Sequence, residues 1–322
     1  MILTITPSPA IDWTIQLNGL SLGELNRGTN KSREASGKGV NVAMALHNSG
    51  VQATAMLPIG GENGKFMLDS LAERGLPVRS VETLSDIRTN ITLSIESQPE
   101  TKINTESDFV SENDMEKLLN LLSQTVTDVN LIVTCGSLPA AVAPDFHKQV
   151  IEIAHSANKL CFLDTSGESL DAAIVAGPDL IKPNVSELAE LTGRRIEKLG
   201  DVESASQSLI DQGVGIVLAS LGPDGAMIVD SEQSVWGKVD GVNVKNSVGA
   251  GDALLAGFIS NHQNQNQQPN LTNALVWASS AVQSETTFFE IDDSYYEKAS
   301  VMADFDREAN LSSIAEPGKA RT

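Results

Sequence analysis

Residues 246–258 read Asn-Ser-Val-Gly-Ala-Gly-Asp-Ala-Leu-Leu-Ala-Gly-Phe, a glycine-rich loop that leads into an apolar run with helical spacing. Gly249 and Gly251 allow backbone angles that other residues avoid, and they let a ligand approach the main chain. The free N–H groups at the start of such a helix form a site for anions. Asp252 lies in that first turn, where a carboxylate either stabilises the helix start or removes a proton from a group that attacks the bound anion. The stretch by itself leaves both interpretations open.

Strand-like and helix-like segments alternate along the rest of the chain and predict its fold class. The apolar runs at 131–134, 160–164 and 216–220 are typical of parallel strands that are buried on both faces. Predicted helices separate these runs, so we expect an α/β fold with a doubly wound, mostly parallel sheet. Residues 11–33 and 88–106 do not fit this rhythm, and they are interpreted as a small β lid.

A chain of 322 residues can bury a large core, and its sequence contains no interdomain linker or internal repeat. We therefore expect one domain that spans residues 1–322. The apolar periodicity fades after about residue 303, which predicts a C-terminal tail.

The formal net charge of −20 argues against nucleic acids and anionic membrane surfaces as partners, because both require a basic surface. No apolar run reaches the length of a membrane span. Cys135 and Cys161 lie in apolar, strand-like runs, which predicts reduced core thiols in a cytoplasmic protein. The N-terminal residues read as a first strand and not as a signal peptide.

Ligands of open α/β sheets bind beyond the carboxyl ends of the strands, and polar, glycine-containing segments follow several predicted strands. They lie at 135–139, 164–167, 182–188 and 220–225. The usual nucleotide motifs are absent: residues 60–66 are one residue short of a Walker A loop, and no GxGxxG follows the first strand. If a nucleotide binds, we therefore expect it to bind at the glycine loop of residues 249–251.

Asn184 and Glu187 lie three residues apart at a predicted helix start. They form either a reciprocal helix cap or a pair that orients hydrated Mg²⁺ near phosphates. Lys38, between Gly37 and Gly39, is either a solvated turn residue or a point charge for an anion.

Two further polar residues flank the predicted lid. Asp12 accepts hydrogen bonds from a polyol or caps a turn, and Arg88 clamps a phosphate or lies on a solvated face. The histidines show no ligand spacing and are interpreted as surface or helix residues; they are His47, His147, His155 and His262.

Taken together, these residues resemble the ribokinase-like (PfkB-type) carbohydrate kinase family. The most specific segments are 248–252, Val-Gly-Ala-Gly-Asp, and 37–41, Gly-Lys-Gly-Val-Asn. The resemblance extends from about residue 6 to residue 281. Lys38 within the second segment is similar to the branch of the family that acts on phosphorylated sugars.

The resemblance implies a role for each of these positions. Asp252 would be the catalytic base, and the backbone of Gly249, Ala250 and Gly251 would form the anion hole with it. The implied sugar-phosphate ligands are Asp12, Gly37, Lys38, Asn41, Arg88 and Ser137. The implied ATP-binding residues are Lys182, Asn184, Ser220, Gly222, Gly225, Gly249 and Gly251. Asn184 and Glu187 would hold Mg²⁺, through water or directly.

The implied reaction is phosphorylation of a ketohexose phosphate by ATP, with fructose 1-phosphate converted to fructose 1,6-bisphosphate. Tagatose 6-phosphate and fructose 6-phosphate are the alternative substrates. A sugar-phosphate sensor without turnover is the alternative of another class. The resemblance also implies a homodimer formed through the β lid.

Overall fold

The computed structural model describes residues 1–95, 100–105, 110–284 and 286–318. Within them, the strands are β1 (Ile2–Ile5), β2 (Ala10–Leu17), β3 (Thr29–Ser36), β4 (Ala53–Ile59), β5 (Val78–Glu82), β6 (Arg88–Ile95), β7 (Thr101–Asn104), β8 (Leu131–Cys135), β9 (Leu160–Asp164), β10 (Leu180–Ile181), β11 (Ile196–Lys198), β12 (Val217–Ser220), β13 (Ala226–Val229), β14 (Ser234–Val239), β15 (Ala299–Met302) and β16 (Asn310–Ala315). The helices are α1 (Lys38–Asn48), α2 (Gly61–Glu73), α3 (Glu112–Thr125), α4 (Phe146–Ser156), α5 (Glu168–Ile174), α6 (Val185–Thr192), α7 (Leu199–Ile210), α8 (Ala250–Asn261), α9 (Gln267–Gln283) and α10 (Ser294–Lys298).

The main sheet has the strand order β15-β14-β13-β12-β10-β9-β8-β1-β4-β5. From β5 to β12 all neighbouring strands are parallel, which confirms the predicted α/β fold with a mostly parallel sheet. One detail differs from the expectation of a βαβ rhythm, because β13 turns back and pairs antiparallel with β12. Only the short turn at residues 221–225 joins the two strands, and a parallel crossover needs a dozen or more residues.

Helices cover both faces of this sheet, and the alternation of side chains along each strand divides the core into two layers. In β8, Leu131 and Val133 belong to the layer that packs with α1, α8 and α9, whereas Ile132 belongs to the layer beneath α3 to α7. All three side chains are buried. Central strands of this kind bury both faces, which is why they are apolar on consecutive residues.

A second sheet contains four strands in the order β3-β2-β6-β7 and is separate from the main sheet. Its strands come from the two segments that were expected to form a lid, 11–33 and 88–106, although 96–99 and 106 lie outside the described residues. β2 and β6 pair parallel, so that Ala10 lies opposite Arg88 and Asp12 opposite Asn90. The bases of these two strands therefore lie side by side.

The chain after residue 303, which was expected to be a tail, is packed against the core as far as the structure describes it. Phe305 and Leu311 are buried, and β16 pairs antiparallel with β11. The fading periodicity misled the prediction because β16 is a short strand in a two-stranded sheet, where few side chains point inward. Residues 319–322 lie outside the described residues.

Candidate active site

Helix α1 begins at Lys38, directly behind a glycine whose conformation fixes the helix start. Gly37 has φ 127°, and a Cβ there would lie 2.8 Å from Thr6 Cγ2. Both the positive φ and the close approach require glycine. Lys38 Nζ then lies 2.9 Å from Oδ1 of Asp164, the last residue of β9. The start of α1 is thereby joined to the carboxyl end of the sheet.

Asp164 also holds a second lysine. Lys182 follows β10, and its Nζ lies 3.2 Å from Asp164 Oδ2. Burial would raise the pKa of Asp164, but Lys182 and Lys38 together hold it below its usual range. Burial would likewise lower the pKa of Lys38, but Asp164 and Asp252 outweigh this and hold it well above its usual range. Asp164 and Lys38 therefore remain charged at neutral pH.

Helix α8 presents Asp252 to the same cluster. Gly249 caps the helix in the left-handed region, with φ 79°. Asp252 is only 7% exposed, and its Oδ2 accepts a hydrogen bond of 2.7 Å from Asn41 Nδ2 on α1. Two segments that lie about 210 residues apart in sequence are thus joined by one hydrogen bond.

The pKa of Asp252 is raised to about 6. Burial is the largest cause, and the negative charge of Asp164 adds to it. Lys38, Lys182 and the hydrogen bond from Asn41 counteract the rise. A carboxyl group with this pKa can accept a proton near neutral pH and release it again, as a general base must.

The first turn of α8 faces a cation. A Cβ placed on Gly251 would lie 3.1 Å from Lys182 Nζ, so the ammonium group lies close to the backbone of the glycine loop. The N–H groups of the first helical turn have no acceptors within the helix. Together with Lys182 they form an environment that favours negative charge.

Asn184 and Glu187 form the reciprocal cap of α6. Glu187 Oε2 accepts from the backbone N–H of Asn184 at 2.8 Å, and Asn184 Oδ1 accepts from that of Glu187 at 3.0 Å. The structure therefore contains the predicted helix cap. Glu187 Oε1 takes no part in the hydrogen bonds of that cap. Across the described residues, no group of three or more His, Cys, Asp or Glu side chains could hold a metal ion. The pair suits a cation that keeps most of its water, as Mg²⁺ does.

The remaining residues expected to bind the nucleotide lie at the end of β12 or directly after it. Ser220 forms a parallel bridge with Asn184, so the ends of β10 and β12 lie side by side. Gly222 is exposed with φ 62° and open space around it. Gly225 has a structural reason for its identity, because a Cβ there would lie 2.0 Å from the carbonyl oxygen of Gly237.

At the base of the lid, Asp12 and Arg88 lie on neighbouring strands. Asp12 Oδ1 accepts from Asn90 Nδ2 at 2.8 Å. Burial lowers the pKa of the Arg88 guanidinium, against the effect of Asp12. Arg88 Nε is buried, and no acceptor for it exists in the part of the chain that the structure describes. A buried N–H without an acceptor is costly, and a bound anion would satisfy it.

The lid and the region around α8 are in direct contact. The backbone N–H and Oγ1 of Thr287 donate to Glu34 Oε2 on β3, at 3.2 and 2.7 Å. A cleft of about 690 Å³ separates the rest of the lid from the loop before α8. Its charged lining residues are Lys31, Lys102, Lys245 and Glu100. Positive charge is thus concentrated beside the glycine loop of a chain whose net charge is −20.

The structure therefore joins some of the expected site residues by contacts, namely Lys38, Asn41, Lys182 and Asp252. The others lie at strand ends or at the base of the lid. Among the described residues, no hydrogen bond links Asp12, Arg88 or Ser137 directly to Asp252. Ser137 is exposed and follows Gly136 at the end of β8.

A sequence model of the pfkB family of carbohydrate kinases matches residues 7–285 of this chain. The chain belongs to that family.

Two curated relatives support the assignment. The 1-phosphofructokinase of Bacillus subtilis (strain 168) is 31% identical over 260 residues, which cover 81% of this chain and 85% of the relative. The 1-phosphofructokinase of Borreliella burgdorferi is 33% identical over 260 residues, which cover 80% and 84%. A crystal structure of phosphofructokinase-2 from Escherichia coli in complex with fructose-6-phosphate superimposes with a TM-score of 0.81 at 29% identity, covering 88% of this chain and 93% of that one.

A pfkB kinase uses ATP as its co-substrate, and the anion-favouring start of α8 is consistent with such a substrate. None of the helices in the described residues combines the length and the apolar character that a membrane span requires.

Sequence reasoning missed two polar residues of this kinase, one within the charged cluster and one that contacts Gly136. Asp164 was noticed only as part of a strand-end segment, yet it is the carboxylate that holds both lysines. His147 was interpreted as a surface or helix residue; it lies on α4 but is fully buried. The position of Asp164 at the end of an apolar strand was a signal for the first. Nothing in the local sequence distinguishes the second.

Proposed function

We propose that this kinase transfers the γ-phosphoryl group of ATP to fructose 1-phosphate and forms fructose 1,6-bisphosphate. The observation that carries the proposal is Asp252, buried at the start of α8, held by Asn41 and surrounded by the charged groups of Lys38, Asp164 and Lys182. The two curated relatives named 1-phosphofructokinase support the choice of substrate.

Asp252 is the proposed general base. Its carboxylate takes the proton of the sugar hydroxyl while that oxygen forms a bond to the γ-phosphorus of ATP. The bond between this phosphorus and the bridging oxygen breaks, and ADP leaves. Asn41 orients the carboxylate through its hydrogen bond of 2.7 Å, and the raised pKa of about 6 matches the task of proton acceptance near neutral pH.

The backbone of Gly249, Ala250, Gly251 and Asp252 is the proposed anion hole for the transferred phosphoryl group. Donors that are already oriented before the reaction stabilise charge that develops in the transition state. The ammonium group of Lys182 lies next to Gly251 and adds positive charge at this point.

The sugar phosphate is proposed to bind between the start of α1 and the base of the lid. Lys38 and the partly buried guanidinium of Arg88 offer positive charge to its phosphate, and the buried Nε of Arg88 gains an acceptor on binding. The residues proposed to complete the pocket are Asp12, Gly37, Asn41 and Ser137.

The nucleotide is proposed to lie along the ends of β10 and β12 and against the glycine loop. Its proposed ligands are Lys182, Asn184, Ser220, Gly222, Gly225, Gly249 and Gly251. Asn184 and Glu187 are proposed to orient Mg²⁺ through its water molecules. When bound, Mg²⁺ neutralises charge on the phosphate oxygens.

We also propose that the lid mediates a homodimer. Apolar side chains of the lid segment are exposed, with Leu22 89% and Leu25 75% accessible. Such a group of exposed apolar residues is typical of an interaction surface. The two buried free cysteines, Cys135 and Cys161, are consistent with a cytoplasmic location, which cell fractionation would test.

Fructose 6-phosphate is the second candidate substrate, because the E. coli phosphofructokinase-2 of similar fold has been crystallised with that sugar. Tagatose 6-phosphate remains the third. All three offer the same chemistry, a phosphate at one end of the ketohexose and a free hydroxyl that accepts the second phosphoryl group.

A coupled assay of ADP release, with ATP, Mg²⁺ and each of the three sugar phosphates in turn, tests the proposal. We expect the highest kcat/KM with fructose 1-phosphate. A higher kcat/KM with either of the other sugars would assign the enzyme to that substrate, and the absence of turnover with all three would contradict the proposal.

A further inference from the structure

The fully buried imidazole of His147 contacts the turn that carries Ser137. His147 Nε2 lies 3.0 Å from the carbonyl oxygen of Gly136, and His147 Nδ1 lies 2.7 Å from Thr134 Oγ1. Both His147 and Thr134 have no solvent exposure. Burial of a polar ring is unfavourable unless its nitrogen atoms find partners, and here both do.

The two contacts determine where the proton of the ring lies. A carbonyl oxygen can only accept, so Nε2 must carry the hydrogen and donate it to Gly136. Burial, the largest cause, lowers the pKa of His147 to about 4, so the ring is neutral at neutral pH. Nδ1 is then an acceptor, and the Thr134 hydroxyl donates to it. The donor and the acceptor are thus known for both hydrogen bonds of the imidazole.

Gly136 is held from both sides. Its carbonyl also accepts from Thr165 Oγ1 at 2.9 Å, and its N–H donates to the carbonyl of Asp164 at 2.9 Å. With φ 97°, Gly136 turns the chain sharply at the end of β8. Ser137 follows immediately, so the orientation of the Gly136 peptide sets the position of Ser137.

We propose that His147 is a positioning residue for the sugar-phosphate pocket. Its Nε2–H fixes the Gly136 carbonyl and thereby holds the Gly136–Ser137 turn in the conformation that binds the sugar. This inference rests on the proposed function, because the substrate contact of Ser137 is itself part of that proposal. In this proposal His147 contacts the turn through the Gly136 carbonyl and does not contact the substrate.

The test compares His147→Leu, which removes the donor, with His147→Gln, whose amide nitrogen can still donate to Gly136. We expect His147→Leu to raise the KM for the sugar phosphate about 5–10-fold, the usual effect of one lost hydrogen bond, with the KM for ATP changed less than about 2-fold. His147→Gln should restore most of the loss. His155→Leu, at the exposed end of the same helix, is the matched control and should leave both KM values unchanged.

Thr134→Val serves as a second variant in case His147→Leu does not fold. It removes only the hydroxyl that holds Nδ1, and we expect it to raise the sugar-phosphate KM about 2–5-fold. The proposal is overturned if these variants lower the melting temperature but leave the sugar-phosphate KM unchanged, or if the KM for ATP rises equally.

An assay of the wild-type enzyme distinguishes failure of this proposal from failure of the proposed function. If it turns over none of the three sugar phosphates, the proposed function has failed without reference to His147. The same comparison of variants is then made on the Kd for fructose 1-phosphate by calorimetry. A weaker Kd in His147→Leu that His147→Gln restores supports the positioning role, and an unchanged or unmeasurable Kd in the wild type and both variants overturns it.

Discussion

At the scale of single residues, the proposed chemistry depends on the carboxyl group of Asp252. Burial raises its pKa to about 6, Asp164 adds to the rise, and Lys38 counteracts it. The group is therefore ionised at pH 7 to 8 and still basic enough to accept a proton. A surface aspartate, with its much lower pKa, would be a weaker base.

We expect kcat/KM to rise with pH, to reach half its maximum near pH 6 and to level off above about pH 7, because only ionised Asp252, the proposed base, accepts the proton. Lys38→Met should move this rise to higher pH, because it removes a positive charge that lowers the pKa of Asp252. Initial rates from pH 5 to 9 would measure the shift. A rise at unchanged or lower pH in the variant would contradict the assigned electrostatics.

The same raised pKa predicts an effect of Asp252 on stability. A carboxyl group whose folded pKa exceeds its unfolded value of 3.8 stabilises the fold fully only below that value, and this contribution is lost as the pH rises through 6. Asp252→Asn should therefore increase the free energy of unfolding by about 2–3 kcal/mol at pH 8 and by about half as much at pH 5. Urea unfolding at both pH values checks this. An increase that does not depend on pH would contradict the assignment.

At the scale of secondary-structure elements, the α/β rhythm was predictable wherever strands are buried on both faces. β1, β4, β8 and β9 appear as plain apolar runs, and α8 is marked by its glycines. β16 was not predictable, because a short strand in a two-stranded sheet leaves too few apolar residues for a period. The antiparallel direction of β13 depends on the length of its turn rather than on its own residues.

The candidate site was predictable where its residues lie at strand ends and helix starts. Lys38 and Asp252 are marked by the neighbouring glycines that their turns require. The role of Asp164 depends on contacts with Lys38 and Lys182, 126 and 18 residues away in sequence, which no local pattern reveals. His147 is similar, because its partners are main-chain and hydroxyl groups that leave no motif.

The packing of α8 against α9 depends on Gly257. A Cβ there would lie 2.8 Å from Ala274 Cα and 2.9 Å from Trp277 Cβ, so the two helices would have to separate. We expect Gly257→Ala to lower the free energy of unfolding by about 1–3 kcal/mol, as overpacking does. Gly19→Ala is the control: it has open space and no positive φ, and should change stability by less than about 0.5 kcal/mol. Equal effects of the two variants on denaturant unfolding would contradict this packing.

At the scale of the whole molecule, the proposed homodimer depends on contacts between the lids of two subunits. Leu22→Asp combined with Leu25→Asp should halve the molar mass measured by light scattering, because charges on an apolar interface are desolvated at a cost. Val175→Asp is the matched control and should leave the mass unchanged. Val175 is 74% exposed and lies at the end of α5, outside the lid. A wild-type monomer, or a dimer that survives the lid charges, would contradict the lid interface.

The central claim is that Asp252 is the base of a phosphofructokinase. Its most direct test is the turnover of Asp252→Asn with saturating ATP and fructose 1-phosphate, beside Asp114→Asn, which changes a buried carboxylate in the capping box of α3 that is no proposed site residue. The account predicts a loss of about 10²–10⁴-fold in kcat for Asp252→Asn and little change for Asp114→Asn. Turnover of Asp252→Asn above a few per cent of wild type would contradict it.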